Sequence, residues 1–189
     1  MAAAGPARWG WHQLDARWAE RLTAEAGIEP DELVVDVGAG LGAVTGPLLL
    51  AGARVVAVEL HRGRAAALRR RFAGARLCVV CADGADLRLP REPFRVVASP
   101  PFAITSALLR RLLSPGSRLV RADLVLQRAA ARRWASGDAP GGGRLGVTFD
   151  ASLGRPVPRR AFHPVPRVDA AILVVERHQR GAPGRTATW

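Results

Sequence analysis

Apolar and polar positions alternate along this chain in blocks that predict strands and helices in turn. Short Val-rich runs are typical of buried strands, and apolar residues three or four positions apart are typical of helices. The predicted strands are Leu33–Val37, Arg54–Leu60, Leu77–Ala82, Arg95–Ala98 and Ala122–Leu126. The predicted helices are Trp18–Ala26, Ala43–Ala51, Ala65–Phe72, Ser106–Leu113 and Arg128–Ala135. Such alternation favours a parallel sheet built from strand–helix–strand units.

The pattern changes after the last of these helices. A flexible loop is predicted at Gly137–Gly143, and two strands without an intervening helix follow it at Val147–Leu153 and Val168–Val175. Strands joined without a crossover helix can pair antiparallel at one edge of a sheet. The sequence therefore predicts an α/β fold, with a seven-stranded, mostly parallel sheet, helices on both faces and an antiparallel edge.

The length of the chain, 189 residues, fits one domain. We assign residues 1–176 to this domain, with 1–27 as an N-terminal segment and helix, and we expect 177–189 to form a disordered basic tail. The longest apolar runs are shorter than the ~20 residues of a membrane span. The first residues lack the basic-then-apolar order of a signal peptide. We therefore expect a cytoplasmic protein that does not contact a membrane.

All 28 basic residues are arginine, against 16 acidic residues, which gives a net charge of +12. A single arginine cluster is more often a solvated surface than a contact. Several clusters together favour a polyanionic partner, because each neutralised phosphate releases condensed counterions. The clusters lie at Arg69–Arg71, Arg110–Arg111, Arg128–Arg133 and Arg155–Arg167. The charge therefore points to nucleic-acid binding.

Cys78 and Cys81 are separated by two residues within a predicted strand. Residues three apart in a strand point to opposite faces, so this pair is placed neither to form a disulfide nor to share a metal ion. We interpret both cysteines as core residues and predict no metal site.

Small and acidic residues stand where the first three strands end. The glycines of the Asp36–Gly42 turn permit φ > 0 and close approach of a ligand to the backbone, but their G-x-G-x-G spacing differs from the dinucleotide fingerprint. Asp36 favours an ammonium group over a pyrophosphate. Glu59 ends the second strand, where it can accept ribose hydroxyls. Asp83 ends the third, where it can accept from an adenine amine or serve instead as a turn or N-cap residue. Together these residues fit S-adenosylmethionine better than NAD.

The fourth strand ends in Ser99-Pro100-Pro101-Phe102. Neither proline has an N–H, so the carbonyls of Ser99 and Pro100 can point outward as acceptors. Phe102 adds a flat apolar ring beside them. Acceptors next to a ring suit a planar base that carries an exocyclic amine. A Pro-Pro loop that simply ends a strand is the alternative interpretation of these four residues.

The chain resembles the ribosomal RNA adenine-N6 methyltransferases, which comprise the macrolide-resistance (Erm) enzymes and their dimethyladenosine-transferase relatives. The similarity runs from about Gly10 to Glu176. The segments that carry it are Gly10–Leu14, Asp36–Thr45, Val56–Leu60, Cys81–Asp83, Ser99–Phe102, Leu126–Arg128 and Phe162–Asp169. Phe162–Asp169 is specific to the family. Among its subgroups the chain looks most like the short Erm type that lacks the C-terminal helical domain.

This resemblance implies a Rossmann-like, class I methyltransferase that uses S-adenosylmethionine and no metal. The implied cofactor contacts are His12, Leu14, Gly38, Ala39, Gly40, Glu59, Leu60, Asp83 and Ser99. The implied substrate is an adenine in the peptidyl-transferase region of 23S rRNA. Methylation there would block macrolide, lincosamide and streptogramin B binding. No protein partner is implied, and we expect a monomer.

Direct in-line transfer needs no covalent nucleophile, metal or strong base, because the methyl donor is already activated. The protein has to hold the adenine N6 about 3 Å from the methyl carbon and exclude water. We assign Ser99 and the Pro100 carbonyl to accept the two N6 hydrogens. Phe102 would stack on the flipped-out base.

One departure from the family is Ser99, where its members normally have Asn. A hydroxyl can accept a hydrogen bond but cannot reproduce the reach of a carboxamide. Ser-Pro-Pro also occurs in enzymes that methylate cytosine N4, and Pro-Pro sites occur in those that methylate a protein glutamine. The alternatives are therefore methylation of one of those amines, or an RNA-binding homologue that lost catalysis.

Overall fold

A computed structural model describes residues 12–140 and 145–178. The strands are β1 (Gln13–Leu14), β2 (Leu33–Val37), β3 (Arg54–Val58), β4 (Leu77–Val80), β5 (Phe94–Ala98), β6 (Leu119–Gln127), β7 (Phe149–Val157), β8 (Phe162–His163) and β9 (Ala170–Arg177). The helices are α1 (Ala16–Ala26), α2 (Thr45–Leu50), α3 (Arg62–Arg71), α4 (Thr105–Leu112) and α5 (Arg128–Ala135). Residues 1–11, Gly141–Gly143 of the predicted loop, and the predicted tail from residue 179 onward lie outside the described residues. Arg177, the first residue of that predicted tail, belongs to β9.

Seven strands form the central sheet in the order β4-β3-β2-β5-β6-β9-β7. From β2 the chain passes to β3 and β4 on one side, and then returns to place β5 on the other side of β2. These strands, with β6, are parallel. The order therefore reverses between β2 and β5, and a crevice forms there at the carboxyl ends of the strands, where ligands of such sheets bind.

The predicted antiparallel edge is confirmed, because β9 pairs antiparallel with both β6 and β7. All three of these strands extend beyond their predicted bounds, and β9 does so by two residues, to Arg177. β7 ends at Val157 rather than Leu153, since a register shift between Leu153 and Pro156 accommodates the proline. β6 begins at Leu119 because the charges that interrupt its apolar pattern, Arg121 and Asp123, pair with each other at 2.8 Å.

Helices cover both faces of the sheet. On one face, side chains of α1 and α2 such as Leu22 and Leu48 pack with Val34 and Val97 of the strands. On the other face, α4 and α5 contribute their apolar stripes to a larger cluster. Pro47 lies in the first turn of α2, where a backbone N–H would have no partner within the helix. No helix within the described residues is long and apolar enough to cross a membrane.

The interpretation of the two cysteines as core residues was wrong. Cys78 and Cys81 are both exposed and both free. Cys78 lies in β4 and Cys81 directly follows it. β4 is the outermost strand on its side of the sheet, so one of its edges faces solvent. Strand position within the sheet is not visible in the apolar pattern of the strand itself.

A second, two-stranded sheet was not predicted. β1 and β8 pair antiparallel, with Gln13 opposite His163 and Leu14 opposite Phe162. Strands of two residues are too short to produce a hydrophobic period, and the partners are far apart in the chain. This pairing brings the N-terminal segment against the Phe162–Asp169 segment, beside the carboxyl ends of β2 and β5.

Candidate active site

The turn after β2 meets the turn after β5 at Gly38. The Gly38 backbone has φ of +76°, and a Cβ built there would lie 2.7 Å from Cδ of Pro101. The backbone N–H groups of Gly38 and Ala39 donate to the Val58 carbonyl at 2.8 and 3.1 Å, which ties the turn to β3. Glycine is therefore required at this position by both conformation and space.

Glu59 is held in place through both of its carboxylate oxygens. It follows β3 and is 4% exposed. The Gly40 N–H donates to Oε2 at 2.9 Å, the His61 N–H donates to Oε1 at 2.8 Å, and the Arg64 guanidinium lies 3.6 Å from Oε1. Each carboxylate oxygen has a second lone pair. Glu59 can thus accept hydroxyl hydrogens from a ribose without moving.

A cavity of about 860 Å³ opens at these strand ends. That volume is within the range of sites for small molecules and cofactors. The predicted cofactor residues that line it are Gly38, Glu59, Leu60 and Asp83. Leu60 is 50% exposed and offers an apolar surface to a flat ring. These residues are therefore brought together as the sequence predicted, around a space large enough for a nucleoside.

Asp83 lies at the cavity as predicted, but it caps a short helix instead of ending a strand. The third predicted strand was expected to end at this residue, but β4 ends at Val80. Asp83 instead caps a short 3₁₀ helix, Gly84–Asp86, through a 2.8 Å bond from the Ala85 N–H to its Oδ1. The cap interpretation is confirmed. Because only Oδ1 is used in the cap and Asp83 still lines the cavity, its contact with an adenine amine stays a prediction.

A second, small cavity of about 20 Å³ adjoins the first, with Gly38 in the lining of both. Its lining contains the remaining predicted cofactor residues: His12, Leu14, Ala39, Gly40 and Ser99. Asp36 lines it as well. The two cavities thus divide the predicted set, with one part at the β3 and β4 ends and the other at the β1, β2 and β5 ends.

Asp36 is 1% exposed and accepts a 2.7 Å hydrogen bond from the Thr45 hydroxyl. Burial raises the pKa of this carboxyl to about 7, opposed by the Thr45 hydrogen bond and assisted by the negative charge of Glu59. A buried carboxyl that is costly to ionise alone gains most from a cation placed beside it. This favours the earlier assignment of Asp36 to an ammonium group.

The Ser99–Phe102 turn faces the region where the two cavities meet. Ser99 lines the small cavity, Pro101 lines the large one, and Pro100 is buried. The Phe102 ring contacts two other rings, with centroid distances of 6.1 Å to both His12 and Phe162. Three predicted catalytic groups, Ser99, Pro100 and Phe102, are therefore grouped at one edge of the crevice.

Several lining residues were missed by the sequence analysis. They are Arg62, Arg64, Gly84, Ala103 and Ile104 in the large cavity. A Cβ on Gly84 would lie 2.5 Å from Val37 Cγ1, so this glycine lets the segment after β4 pack against β2. Gly84 follows the noted Asp83 directly, and this adjacency was an available signal. Nothing in the pattern of α3 or the 102–104 turn distinguished the others.

A cleft of about 480 Å³ is lined by the side chains of Arg128 and Arg132 on α5 and of Arg159 and Arg167 near β8. We call this cavity, with its four arginines, the arginine cleft. Within the described part of the chain, none of their guanidinium groups makes an ion pair or hydrogen bond. Asp169 joins the two sides, since its carbonyl accepts from the Arg128 N–H at 3.0 Å and its Oδ1 from the Arg159 N–H at 3.1 Å.

A sequence profile of the family described as ribosomal RNA adenine dimethylase matches residues 14–188. The chain belongs to this family. Its membership confirms the resemblance inferred from the sequence and assigns it to the S-adenosylmethionine-dependent rRNA adenine methyltransferases. The sheet order and the antiparallel edge are those of the Rossmann-like methyltransferase fold that was predicted.

Individual members of the ribosomal RNA adenine dimethylase family are similar over much of this chain. Ribosomal RNA small subunit methyltransferase A of Thermosynechococcus vestitus is 36% identical over 182 residues, which cover 89% of this chain and 68% of that protein. The rRNA adenine N-6-methyltransferase of Corynebacterium diphtheriae is 36% identical over 146 residues, which cover 76% and 57%. This chain therefore spans about three fifths to two thirds of the length of these two relatives.

Among solved structures, that of the 23S rRNA methyltransferase ErmE matches with a TM-score of 0.79 and 30% sequence identity. The match covers 90% of this chain and 71% of ErmE. A dimethyladenosine transferase from Plasmodium falciparum matches with a TM-score of 0.78 at 22% identity, which supports the fold alone.

Proposed function

We propose that this chain transfers a methyl group from S-adenosylmethionine to the N6 of an adenine in 23S rRNA, and so confers resistance to macrolides, lincosamides and streptogramin B. The observation that carries the proposal is the contact of Gly38 with the Pro100-Pro101 bend. It places the lining of the large cavity directly beside Ser99 and Phe102. A cofactor and an aromatic base can therefore meet there.

The chain's own groups fit the parts of this cofactor. Leu60 and Asp83 suit the adenine, with Oδ2 of Asp83 left to accept from its amine. Glu59 suits the two ribose hydroxyls. Asp36 suits the ammonium of the methionine part, and the glycine turn permits close approach. His12, Leu14, Ala39 and Gly40 complete the lining on that side.

Bound S-adenosylmethionine would supply a methyl group on a sulfonium, a leaving group that departs as a neutral thioether. Ser99 Oγ and the Pro100 carbonyl would accept the two N6 hydrogens and so orient the nitrogen lone pair toward the methyl carbon. Phe102 would stack on the base from one side. The N6 proton released after C–N bond formation can pass to water at the open side of the cavity. Positioning, rather than a strong base, is the contribution of the protein.

The arginine cleft supports an RNA substrate over a protein substrate. Its four guanidinium groups, next to the segment that carries Phe162, have no partner among residues 12–140 and 145–178 and can bind phosphates. The net charge of +12 acts in the same direction over longer distances. The proposal includes a cytoplasmic monomer whose folded part is the 1–176 domain.

A second candidate substrate is small-subunit rRNA. Its support is the name of the Thermosynechococcus vestitus relative, a small subunit methyltransferase that is as identical to this chain as the Corynebacterium diphtheriae relative is. The greater shared coverage, 89% against 76% of this chain, also favours it. The support for 23S rRNA is the ErmE match, which combines a high TM-score with 30% identity.

The test incubates the purified chain and labelled S-adenosylmethionine with 23S rRNA, 16S rRNA and ribosomal protein in separate reactions. We expect label in 23S rRNA, recovered as N6-methylated adenosine after nucleoside digestion, and a lowered erythromycin susceptibility in cells that express the chain. Primer extension locates the nucleotide. Label in 16S rRNA only would support the second candidate, and N4-methylcytidine or labelled protein would contradict both. Methylation should be lost in Gly38→Ala and kept in its control Gly46→Ala, and this comparison excludes a contaminating activity.

A further inference from the structure

His12 joins two segments that are 152 residues apart in the chain. Its Nδ1 lies 2.7 Å from the carbonyl oxygen of Pro164. The contact continues the β1–β8 ladder by one position, since Gln13 lies opposite His163 and Leu14 opposite Phe162. At the other end, the Asp15 N–H donates to the Ala161 carbonyl at 2.7 Å. Residues 12–15 therefore run along 161–164, and the His12 side chain adds a hydrogen bond to this pairing.

The bond defines which nitrogen of His12 carries a hydrogen. A carbonyl oxygen only accepts, so Nδ1 has to donate, and Nε2 of the neutral ring is left as an acceptor. The cofactor contact implied for His12 by the family resemblance is therefore not the only task of this ring. Its Nδ1 is already engaged by the protein.

The same ring also contacts the Ser99–Phe102 turn. The His12 and Phe102 centroids are 6.1 Å apart with planes tilted by 33°, and Phe162 meets Phe102 edge-on at 73°. Phe162 is fully buried and belongs to β8. Phe102 thus contacts both His12 and Phe162, and His12 bonds to Pro164, two residues after Phe162.

Beyond Pro164 the chain enters the arginine cleft. Arg167 follows Pro164 by three residues, and Val168 and Asp169 line the same cleft. Pro164 and Pro166 restrict the backbone between them. A fixed Pro164 carbonyl therefore restricts the position of the Arg167 backbone relative to Phe102.

We propose that His12 is a positioning residue, which through Nδ1 holds the 162–169 segment against Phe102 and so couples RNA binding in the arginine cleft to placement of the target base. The inference rests on the proposed function for its RNA step. Its structural step, the restraint of 162–169 by one side-chain bond, is independent of the substrate.

Asn and Gln substitutions at His12 distinguish the role of Nδ1 from that of Nε2. The amide nitrogen of Asn reaches about as far as Nδ1 and can donate to Pro164, whereas the longer Gln reaches toward the Nε2 position. We expect His12→Asn to keep the restraint, and His12→Gln and His12→Ala to lose it. Gln13→Ala, one residue further along the same segment, leaves the backbone pairing and His12 in place and is the matched control.

The first measurement is amide hydrogen exchange of the 162–169 peptide in the purified full chain without RNA. Exchange should be faster in His12→Gln and His12→Ala than in the wild type, and unchanged in His12→Asn and Gln13→Ala. Unchanged exchange in His12→Ala, or faster exchange in His12→Asn and His12→Gln alike, would overturn the inference. This measurement uses no RNA. It therefore tests the restraint of 162–169 by His12 even if the proposed methylation is not found.

The second measurement is the kinetics on the RNA that the wild type methylates. Loss of one hydrogen bond should raise KM for RNA by about three- to tenfold in His12→Gln, with His12→Asn close to wild type. In His12→Gln, calorimetric affinity for S-adenosylmethionine should fall by a smaller factor than RNA methylation does, because Gln keeps a polar group near the Nε2 position. A loss of cofactor affinity equal to the loss of methylation would make His12 a cofactor contact and contradict the positioning role.

Discussion

The large cavity is formed mainly by backbone turns, whereas the arginine cleft is formed mainly by side chains. The cavity is shaped by backbone turns at the ends of β2, β3 and β5, with Gly38 in contact with Pro101 and Glu59 fixed by two N–H groups. The cleft is shaped by four long, exposed side chains on α5 and the segments around β8. Backbone atoms in van der Waals contact cannot adjust to an added atom, whereas arginines move and substitute for one another. We therefore expect single changes to abolish function in the cavity and to reduce it by steps in the cleft.

Gly38→Ala should have the largest effect. A Cβ at 2.7 Å from Pro101 and a φ of +76° both oppose alanine, and left-handed backbone alone costs about 1–2 kcal/mol. We expect S-adenosylmethionine affinity, measured by calorimetry, to fall by about 100-fold.

The control for Gly38→Ala is Gly46→Ala on α2. A Cβ at Gly46 would lie 3.6 Å from the Phe72 ring, an ordinary contact distance. Cofactor affinity should stay near that of the wild type. Equal affinity of the two variants would show that the Gly38 contact does not shape the site.

Phe102→Ala tests the boundary between the two regions. Stacking of a base on an aromatic ring is worth about 1–3 kcal/mol, so kcat/KM for RNA should fall by about 5- to 150-fold. Cofactor affinity should change much less, because Phe102 is absent from the lining of both cavities. Phe102→Tyr keeps the ring and should retain most activity. If cofactor affinity falls as far as RNA methylation, Phe102 is only structural.

Substitutions in the cleft should act by small increments. Arg128→Ala and Arg132→Ala should each weaken RNA affinity a few-fold, and each should lower the slope of log affinity against log salt by about one. Arg118→Ala is the control, because Arg118 is exposed directly before β6, at the opposite end of that strand. An equal loss in Arg118→Ala would mean that net charge, and not the cleft, determines RNA affinity.

Asp36→Asn should change the fold least among these variants. It tests the buried carboxyl of the small cavity through the pH dependence of stability. The pKa of Asp36 is raised from 3.8 to about 7 in the folded chain, so the folded state keeps a proton that the unfolded state has lost between these values. Wild-type stability should therefore fall, relative to Asp36→Asn, as pH rises from about 4 to about 7, and the difference should be constant above that. Urea midpoints across this range measure it. A pH-independent difference would contradict the raised pKa, and unchanged cofactor affinity would contradict the ammonium contact.

Strand and helix positions were predicted well where one face of an element is apolar over its whole length. β2, with Leu33–Val37, agrees with its prediction at both ends, and so does α5. Elements with buried charge or proline were shortened in the prediction. β6 contains Asp123, 2% exposed and paired with Arg121, and β7 runs through Pro156. A buried ion pair has no signal in the sequence of either partner.

The candidate site was predictable at strand ends because parallel strands bring their carboxyl ends to one edge. Gly38, Glu59 and Ser99 follow directly from this rule. His12 and Phe162 did not, since their contacts depend on the two-residue pairing of β1 with β8. The exposure of Cys78 likewise depends on strand order.

The sequence by itself determined the class of fold, the family, and the acceptors and glycines at the strand ends, because these are set by local patterns and by short-range spacing. The tertiary structure decided which strand lies at the edge, which arginines face one cleft, and that His12 bonds to Pro164. Such contacts join residues far apart in the chain. Their geometry follows from how whole elements pack, and no local pattern encodes it.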